Sequence, residues 1–523
     1  MSEPRPIDNA LGRMLTRRAG LPSTPDLEAV FARVNLALSE GDLCLRLEAK
    51  DLSQVQAAPS MVVRSSHEDR VTPLVLDDDR LYLDRCWEDE TLLVREFTSR
   101  AKALSGLSAA AAASLVQAAF KGDPVKEACQ RRAVELALTR RFALITGGPG
   151  TGKTTVIRQL LHGVLQTGQR PRVALAAPTG KAADRLREQV GDVDLPIETS
   201  TLHSLLGVRN LEAEDYRRGP HDPICADWVI VDEASMVDAR QMARLLGAVP
   251  PGTSLVLLGD PDQLQSVQSG AVLGDVCRAT GPVRSSIAEL DHNWRAEGQG
   301  IQQLAQAIRR GDSDACGAVL DAHPDVERVQ GNLAGLLKGR VIDAWKDLAR
   351  LPAEGALQRL RGLRLLCAHR HGPAGVSHVN RLVESWLELS GHIKPGKDWY
   401  EGRPVMVRRN DYGLDLRNGN TAVIRGGQAV FDLPNHPAFP PSLLPEHETC
   451  YATTVHKAQG SEGEEVVVIL PDEASRLLTK EMLYTAVTRA SKKVTLVGSH
   501  EVLAKAVKNP TKRVSGLTER LKA

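Results

Sequence analysis

Phe142-Ala-Leu-Ile-Thr146 is an apolar run that leads directly into Gly147-Gly148-Pro149-Gly150-Thr151-Gly152-Lys153-Thr154-Thr155. The segment fits G-x-x-x-x-G-K-S/T and stands between a strand pattern and a helical one, the context that gives the pattern its meaning. No other stretch constrains the fold as much. A buried strand must turn sharply into a helix whose first turn stays open to a ligand. Glycines let backbone N–H groups wrap an anion, and the helix N-terminus adds partial positive charge. Lys153 supplies a full charge for β- and γ-phosphates, and Thr154 offers a hydroxyl to Mg²⁺. Gly147 to Thr155 are therefore assigned to the phosphates of a nucleotide.

Six further apolar runs follow the same grammar: Val173–Ala177, Trp228–Val231, Leu255–Leu258, Leu363–Cys367, Val466–Leu470 and Val494–Val497. A short apolar run, a turn signal and then a helical pattern indicate a parallel sheet covered on both faces. Strands spread this widely are better satisfied by two sheets than by one, and the break falls near Asp291–Gly300. The expected fold is α/β. Its expected divisions are an N-terminal helical, partner-docking domain over 1–105, a first α/β domain over 106–290 and a second over 291–523. The first carries a short polar insertion at 208–224. The second carries a β-rich insertion at about 393–450, where Gly, Pro, Asn and Asp are frequent and Pro404–Val407 and Thr421–Ile424 alternate. Ala103–Phe120 has no charged residue, but its Ala, Ser and Gly content suits a soluble helix better than a membrane span.

Trp228-Val-Ile-Val-Asp232-Glu233 ends an apolar run in two carboxylates, at the strand edge where ligands sit in open α/β sheets. Asp232 suits the Mg²⁺ shell, and Glu233 suits a general base for the attacking water. Leu257-Leu-Gly-Asp260-Pro-Asp-Gln263 ends another run at the same edge. The amide of Gln263 can sense a γ-phosphate or its water. Charge on a transferring phosphoryl group calls for arginines, and Arg295 and Arg489 are the candidates from the second sheet. Each is equally readable as a surface or ion-pair arginine.

Composition limits the alternatives. A hydrophobic fraction of 42% and a charged fraction of 25% exclude dominant disorder. The net charge of +1 excludes capture of nucleic acid by bulk charge. Aromatics at 3% exclude many base-stacking platforms. The charge is uneven: Asp51–Arg100 holds 6 basic and 11 acidic residues, and Arg476–Ala523 holds 11 basic and 3 acidic. Solvated surface explains both segments. Alternatively, the first faces a protein and the second an anion. The eight cysteines form no Cys-x-x-Cys pair, which gives zinc no support and suits reduced thiols of a cytoplasmic protein. Met1–Asp8 has no apolar core of a signal peptide. His369, His371 and His378 lack a Cys or carboxylate partner at metal-ligand spacing, so a loop and helix start is the better reading.

The ordered set is specific. Gln130, the phosphate loop, Pro178-Thr-Gly-Lys181, Thr201-Leu-His203, Asp232-Glu-Ala-Ser, Gly259-Asp-Pro-Asp-Gln263, Asn293-Trp-Arg295, Thr454-Val-His-Lys-Ala-Gln-Gly-Ser-Glu462 and Tyr484–Ala490 resemble the motif series of superfamily 1 helicases. The wording of these motifs, with Gly270-Ala-Val-Leu-Gly-Asp275 and Gly402–Tyr412, resembles the RecD family, the α subunits of RecBCD exodeoxyribonuclease V complexes. The resemblance covers about Gln130 to Ser499 and, more weakly, Pro6–Leu45. It implies two RecA-like domains and an ATP- and Mg²⁺-dependent motor moving 5′ to 3′ on single-stranded DNA. RecB-like and RecC-like subunits would be its partners, with any nuclease site in the former, and no membrane is implied. By that resemblance Gln130 contacts adenine, and Gln263, Arg295 and Arg489 couple the γ-phosphate to closure of the two domains. Glu462 sits near the ribose or the γ-phosphate. Pro178, Thr179, Gly180, Lys181, Thr201, His203, Thr454, His456 and Lys457 line the DNA track, and the β-rich insertion is SH3-like. Trp294, Gln265 and Ala458 stand where the family commonly has Tyr, Pro and Ser. Two other readings stay open: a stand-alone 5′–3′ helicase of the same branch, and a P-loop ATPase that loads or scaffolds without unwinding.

Overall fold

All seven apolar runs are strands in the computed structural model, which describes residues 3–18, 25–210, 215–294, 299–394, 399–411, 413–473 and 475–522. The first α/β domain is built on β1 (Phe142–Gly147), β2 (Val173–Ala177), β3 (Ile197–Thr201), β4 (Trp228–Val231), β5 (Ser254–Gly259) and β6 (Ile287–Leu290). They pair in the order β6-β1-β5-β4-β2-β3, parallel throughout. The second is built on β7 (Val326–Val329), β8 (Leu363–Cys367), β9 (Ala452–Thr454), β10 (Gly463–Ile469) and β11 (Ala490–Val497), in the parallel order β7-β11-β10-β8-β9. The last strand of the first sheet ends at Leu290 and the first strand of the second begins at Val326.

Strand periodicity explains why the runs are apolar throughout. Phe142 and Leu144 enter the core on one face of the first sheet, and Ala143 and Ile145 enter the core on the other. Val466 and Val468 likewise face one core of the second sheet, and Val467 and Ile469 face the other. Four strands have no matching apolar run, namely β3, β6, β7 and β9. These are the four sheet edges, where one side of the strand is unpaired and polar residues are tolerated.

The N-terminal segment differs from the helical expectation. Helices Pro6–Arg18 and Pro25–Glu40 pack closely enough that a Cβ on Gly12 would lie 2.3 Å from the Glu28 carbonyl oxygen. Beside them, however, lies a four-stranded sheet of Cys44–Arg46, Arg80–Leu83, Leu74–Asp77 and Val63–Ser65, in that order. Its strands are three or four residues long, too short to leave a period in the sequence. The following helix, Asp84–Lys102, places Leu93, Phe97 and Ala101 in the core of the first α/β domain, where the Phe97 ring lies 5.3 Å from Phe142.

Ala109–Ala119 is an Ala-rich helix capped by the Ser108 side chain, which accepts from Ala111 N. Among the described residues no helix is long and apolar enough to cross a membrane. The polar insertion holds a hairpin of Val208–Asn210 with Asp215–Tyr216. The β-rich insertion is a five-stranded antiparallel sheet around Val405, Ala422, Ile424, Ala429 and Phe431. Its pairings establish a β-rich unit and leave the SH3-like likeness an expectation.

The chain's end forms a strap. After helix His500–Val507, the Thr511 amide and hydroxyl donate to Glu481 Oε2 in the second domain. Arg513 then donates to the carbonyls of Gly41, Ser266 and Gln268. Leu517 and Leu521 are buried in the core of the first domain. Arg520 lies 3.9 Å over the Trp87 ring and donates to Glu90, a fully buried carboxylate that also accepts from Tyr82 and from Gly516 N.

Candidate active site

β1 ends at Gly147, and helix α1 (Lys153–Gln166) begins six residues later. The turn requires left-handed backbone at Gly150 (φ 82°) and Gly152 (φ 84°), a conformation that glycine adopts without strain. At Gly152 space forbids a side chain as well, since a Cβ would lie 2.0 Å from Gln130 Nε2. Gln130 is buried and donates to the Thr151 carbonyl at 3.2 Å, so it braces the loop from behind. The Lys153 ammonium bonds back to the carbonyls of Gly147 (2.7 Å) and Gly148 (3.1 Å).

A cavity of about 240 Å³ opens over this loop. It collects Pro149, Gly150, Gly152, Lys153, Thr154 and Thr155 with Asp232, Glu233 and Gln263 from the first domain, and Glu462 and Arg489 from the second. Gly148 and Thr151, with Pro149 again, line a neighbouring cavity of about 570 Å³ that reaches Asn293, Arg309 and Tyr484. Gly147 closes the strand beneath. Arg295 lies outside the described residues. Its neighbour Trp294 donates its backbone N–H to the Gly150 carbonyl at 2.9 Å, which sets Trp294 against the phosphate loop.

The carboxylates are tuned. Burial and the adjacent Glu233 push Asp232 up to about 6, with Lys153 opposing. The Asp232 carboxylate accepts from Glu233 N at 2.8 Å, and Glu233 takes a left-handed φ of 54°. A non-glycine residue held there is strained, and such strain concentrates at functional sites. Asp260, raised by burial, accepts from Gln263 Nε2 (3.1 Å), Asp262 N (3.0 Å) and Tyr484 Oη (3.0 Å). Arg489 is 3% exposed and donates through Nε to the Thr485 carbonyl at 3.2 Å. Glu462 accepts from Arg185 at 2.7 Å across the domain boundary.

The residues expected along the DNA track sit just beyond C-terminal strand ends: Pro178–Lys181 after β2, Thr201 and His203 at and after β3, Thr454–Lys457 at and after β9. Several have local duties. Thr179 caps helix α2 (Gly180–Val190), Thr201 caps Leu202–Leu205, and the Thr454 hydroxyl accepts from Lys457 N at 3.3 Å. His203 contacts Gln241 at 3.2 Å, and Lys457 pairs with Glu448 at 2.7 Å. Burial lowers both His203 and His456, favouring neutral rings. Lys181 instead faces a separate cavity with Arg364. His369 bonds to Ser475 at 2.9 Å, and among the described residues no group of three or more His, Cys, Asp or Glu side chains is gathered that could hold a metal ion. All eight cysteines are free thiols.

Sequence reasoning passed over Arg185, Tyr484 as a bonding residue, and Arg364. Arg185 had a signal, since it follows Lys181 by four positions and must share its helix face. Arg364 had none, because Lys181 reaches the shared cavity from another domain.

A family model described as an AAA domain matches residues 126–332, and one described as a UvrD-like helicase C-terminal domain matches 449–497. The RecBCD enzyme subunit RecD of Mycolicibacterium smegmatis is 39% identical over 99% of this chain and 97% of its own length. The chain belongs to the RecD family. The RecD of Haemophilus influenzae is 31% identical, with 86% of this chain and 81% of that one covered. The ATP-dependent RecD2 DNA helicase of Deinococcus radiodurans is also 31% identical, but this chain spans half of its length. A RecD-type helicase is thus the established class; the first family match spans the first parallel sheet and runs on through β7, and the second covers β9 to β11.

Proposed function

We propose that this chain hydrolyses ATP to move 5′ to 3′ along single-stranded DNA, opening duplex ends as a subunit of a cytoplasmic RecBCD-type complex. One observation carries the proposal: a single cavity is walled by the phosphate loop, Asp232 and Glu233 of one domain and by Glu462 and Arg489 of the other. A nucleotide held there must feel both domains, so its cleavage changes their separation.

The roles follow from chemistry. Loop N–H groups and Lys153 hold the phosphates, and Gln130, which braces the loop, is assigned the adenine side by family resemblance alone. Thr154 and Asp232 would hold Mg²⁺. The site fits a dication, because Asp232 is a buried carboxylate beside a second carboxylate, and a cation would offset both penalties. When bound, the metal would neutralise phosphate charge. Glu233 polarises the attacking water and Gln263 orients it. Arg489, with Arg295 assigned the same task by family resemblance, stabilises the transferring phosphoryl group. Pro178–Gly180, Thr201, His203, Thr454, His456 and Lys457 track the DNA backbone. The acidic N-terminal segment docks RecC-like and RecB-like chains, and the RecB-like chain cuts.

The test is ATP turnover with and without single-stranded DNA, together with co-purification with RecB- and RecC-like chains. Turnover indifferent to DNA would favour a loading factor. Strand separation by the isolated chain, without co-purification, would favour a stand-alone helicase.

A further inference from the structure

A second cavity, of about 360 Å³, adjoins the phosphate cavity. It is lined by Lys181 and Arg185 of helix α2, by Arg361 and Arg364 of the second domain, and by Asn420 and Thr421 of the β-rich insertion. The two cavities share Arg185, Gln189, Gly460 and Glu462. The Arg185–Glu462 ion pair, 2.7 Å long, therefore stands in their common wall, and its side chains keep 34% and 28% of their surface exposed. It is accessible enough to exchange partners.

Four cations and four carboxylates line this second cavity, but the pairing among them is uneven. Asp184 pairs with Arg417 at 3.5 Å, Asp432 with Arg361 (Nε at 3.1 Å), and Glu462 with Arg185. Glu188, also in the lining, acts on Arg361. Lys181 and Arg364 are left in no ion pair among the described residues, and Arg364 Nε is buried with no hydrogen-bond partner there. Burial lowers both: Lys181 falls to about 7, with Arg364 and Arg361 adding to the fall, Arg361 also lowers Arg364, and Asp432 and Cys450 oppose. Two neighbouring cations, partly desolvated and in no ion pair of their own, with Asp432 acting on both but bonded to Arg361, can receive an anion.

We propose that this second cavity receives the inorganic phosphate cleaved from ATP, with Lys181 and Arg364 as the receiving pair and the Arg185–Glu462 ion pair as the gate. The inference rests on the hydrolysis reading above. After cleavage ADP still occupies the loop, and the free phosphate is left beside Glu233, Gln263 and Arg489. A phosphate dianion offers Arg185 a stronger partner than Glu462 does and repels Glu462. The gate opens because the product is charged. The cavity is walled by both domains, so emptying it accompanies reopening of the cleft.

The test separates cleavage from release. With saturating single-stranded DNA and Mg-ATP, rapid quench reads cleaved phosphate and a fluorescent phosphate sensor reads free phosphate. In the wild type the two are expected to run closely together. In Arg364→Gln, cleavage keeps its rate while release lags severalfold, and Arg364→Lys restores most of it. Release that still keeps pace with cleavage in Arg364→Gln overturns the proposal. A wild type that fails to cleave overturns the hydrolysis reading instead. If Arg364→Gln leaves release alone but weakens DNA binding and lowers its salt slope by about one, the pair holds a backbone phosphate and the proposal is wrong. Should that variant not fold, the wild type still decides. Without DNA, excess inorganic phosphate must shield Lys181 from an amine-acylating reagent near neutral pH, as read by mass spectrometry. Absence of shielding overturns the assignment.

Discussion

Tyr484 Oη donates to Asp260 Oδ2 at 3.0 Å across the boundary between the two α/β domains, and both residues are buried. Tyr484 rides on helix α3 (Lys480–Val487), five positions ahead of Arg489, and Asp260 directly follows β5. Two more bonds run beside this one. Leu264 N donates to Thr485 Oγ1 at 2.8 Å, and Gln459 Nε2 donates to the Leu264 carbonyl at 2.9 Å. The turn that holds Gln263 is thereby fastened to the helix that delivers Arg489.

Tyr484→Phe should loosen this fastening without removing a group from the phosphates. Asp260 keeps Gln263 and Asp262 N but loses its partner from the second domain. A lost bond to a buried carboxylate costs about 1–3 kcal/mol. DNA-stimulated kcat is expected to fall severalfold with a smaller change in the KM for ATP. An unchanged kcat in a well-folded variant would show that the two elements are not coupled through this bond.

Lys153→Gln should abolish DNA-stimulated ATP turnover and leave the melting temperature near that of the wild type, since Lys153 bonds only to its own loop among the described residues. Glu233→Gln should bind ATP and not cleave it. Binding by fluorescent ATP analogue and turnover by phosphate release check both. Normal turnover in either variant would sink its assigned role.

Lys181 gives a pH signature. Unfolded, it stays charged to about 10.4, whereas folded it releases its proton near 7, facing Arg364, Arg361, Asp432 and Cys450. Between those values the unfolded chain binds more protons, so this group's contribution to stability rises with pH. From about pH 6 to pH 9 the melting temperature of the wild type should therefore gain on that of Lys181→Met. Parallel curves would show that Lys181 is not depressed.

Glu90 and Arg520 hold the strap. Arg520→Ala leaves Glu90 fully buried with Tyr82 and Gly516 N as its partners. Breaking a buried pair by removing one side costs about 3–5 kcal/mol. Denaturant melts should show the loss, and Glu90→Gln/Arg520→Ala should recover part of it. If the double variant is no better than Arg520→Ala, the buried charge is not the cause.

Much of this fold was legible because central strands of a parallel sheet are buried on both faces and read as unbroken apolar runs. The four strands that escaped, β3, β6, β7 and β9, are the edges, where polar residues such as Glu198, Glu289 and Glu327 interrupt the run. The phosphate loop was legible because its chemistry is local in sequence. Arg364 was not, since its meaning comes from Lys181 in another domain. Thr179, Thr201 and Thr454 carry a double meaning that one sequence cannot separate, because a hydroxyl beyond a strand both caps the next turn and faces a ligand.

The strap sets an order of events in synthesis. Leu517 and Leu521 are part of the first domain's interior, so that interior contains a gap until residues beyond the second sheet have been made. Domains ordinarily complete themselves in the order they emerge. Here the domain made early is finished by residues that follow the whole of the second sheet. A chain stalled after Val507 should expose its first domain to protease as readily as a misfolded variant does, and full protease resistance of that stalled chain would contradict this order.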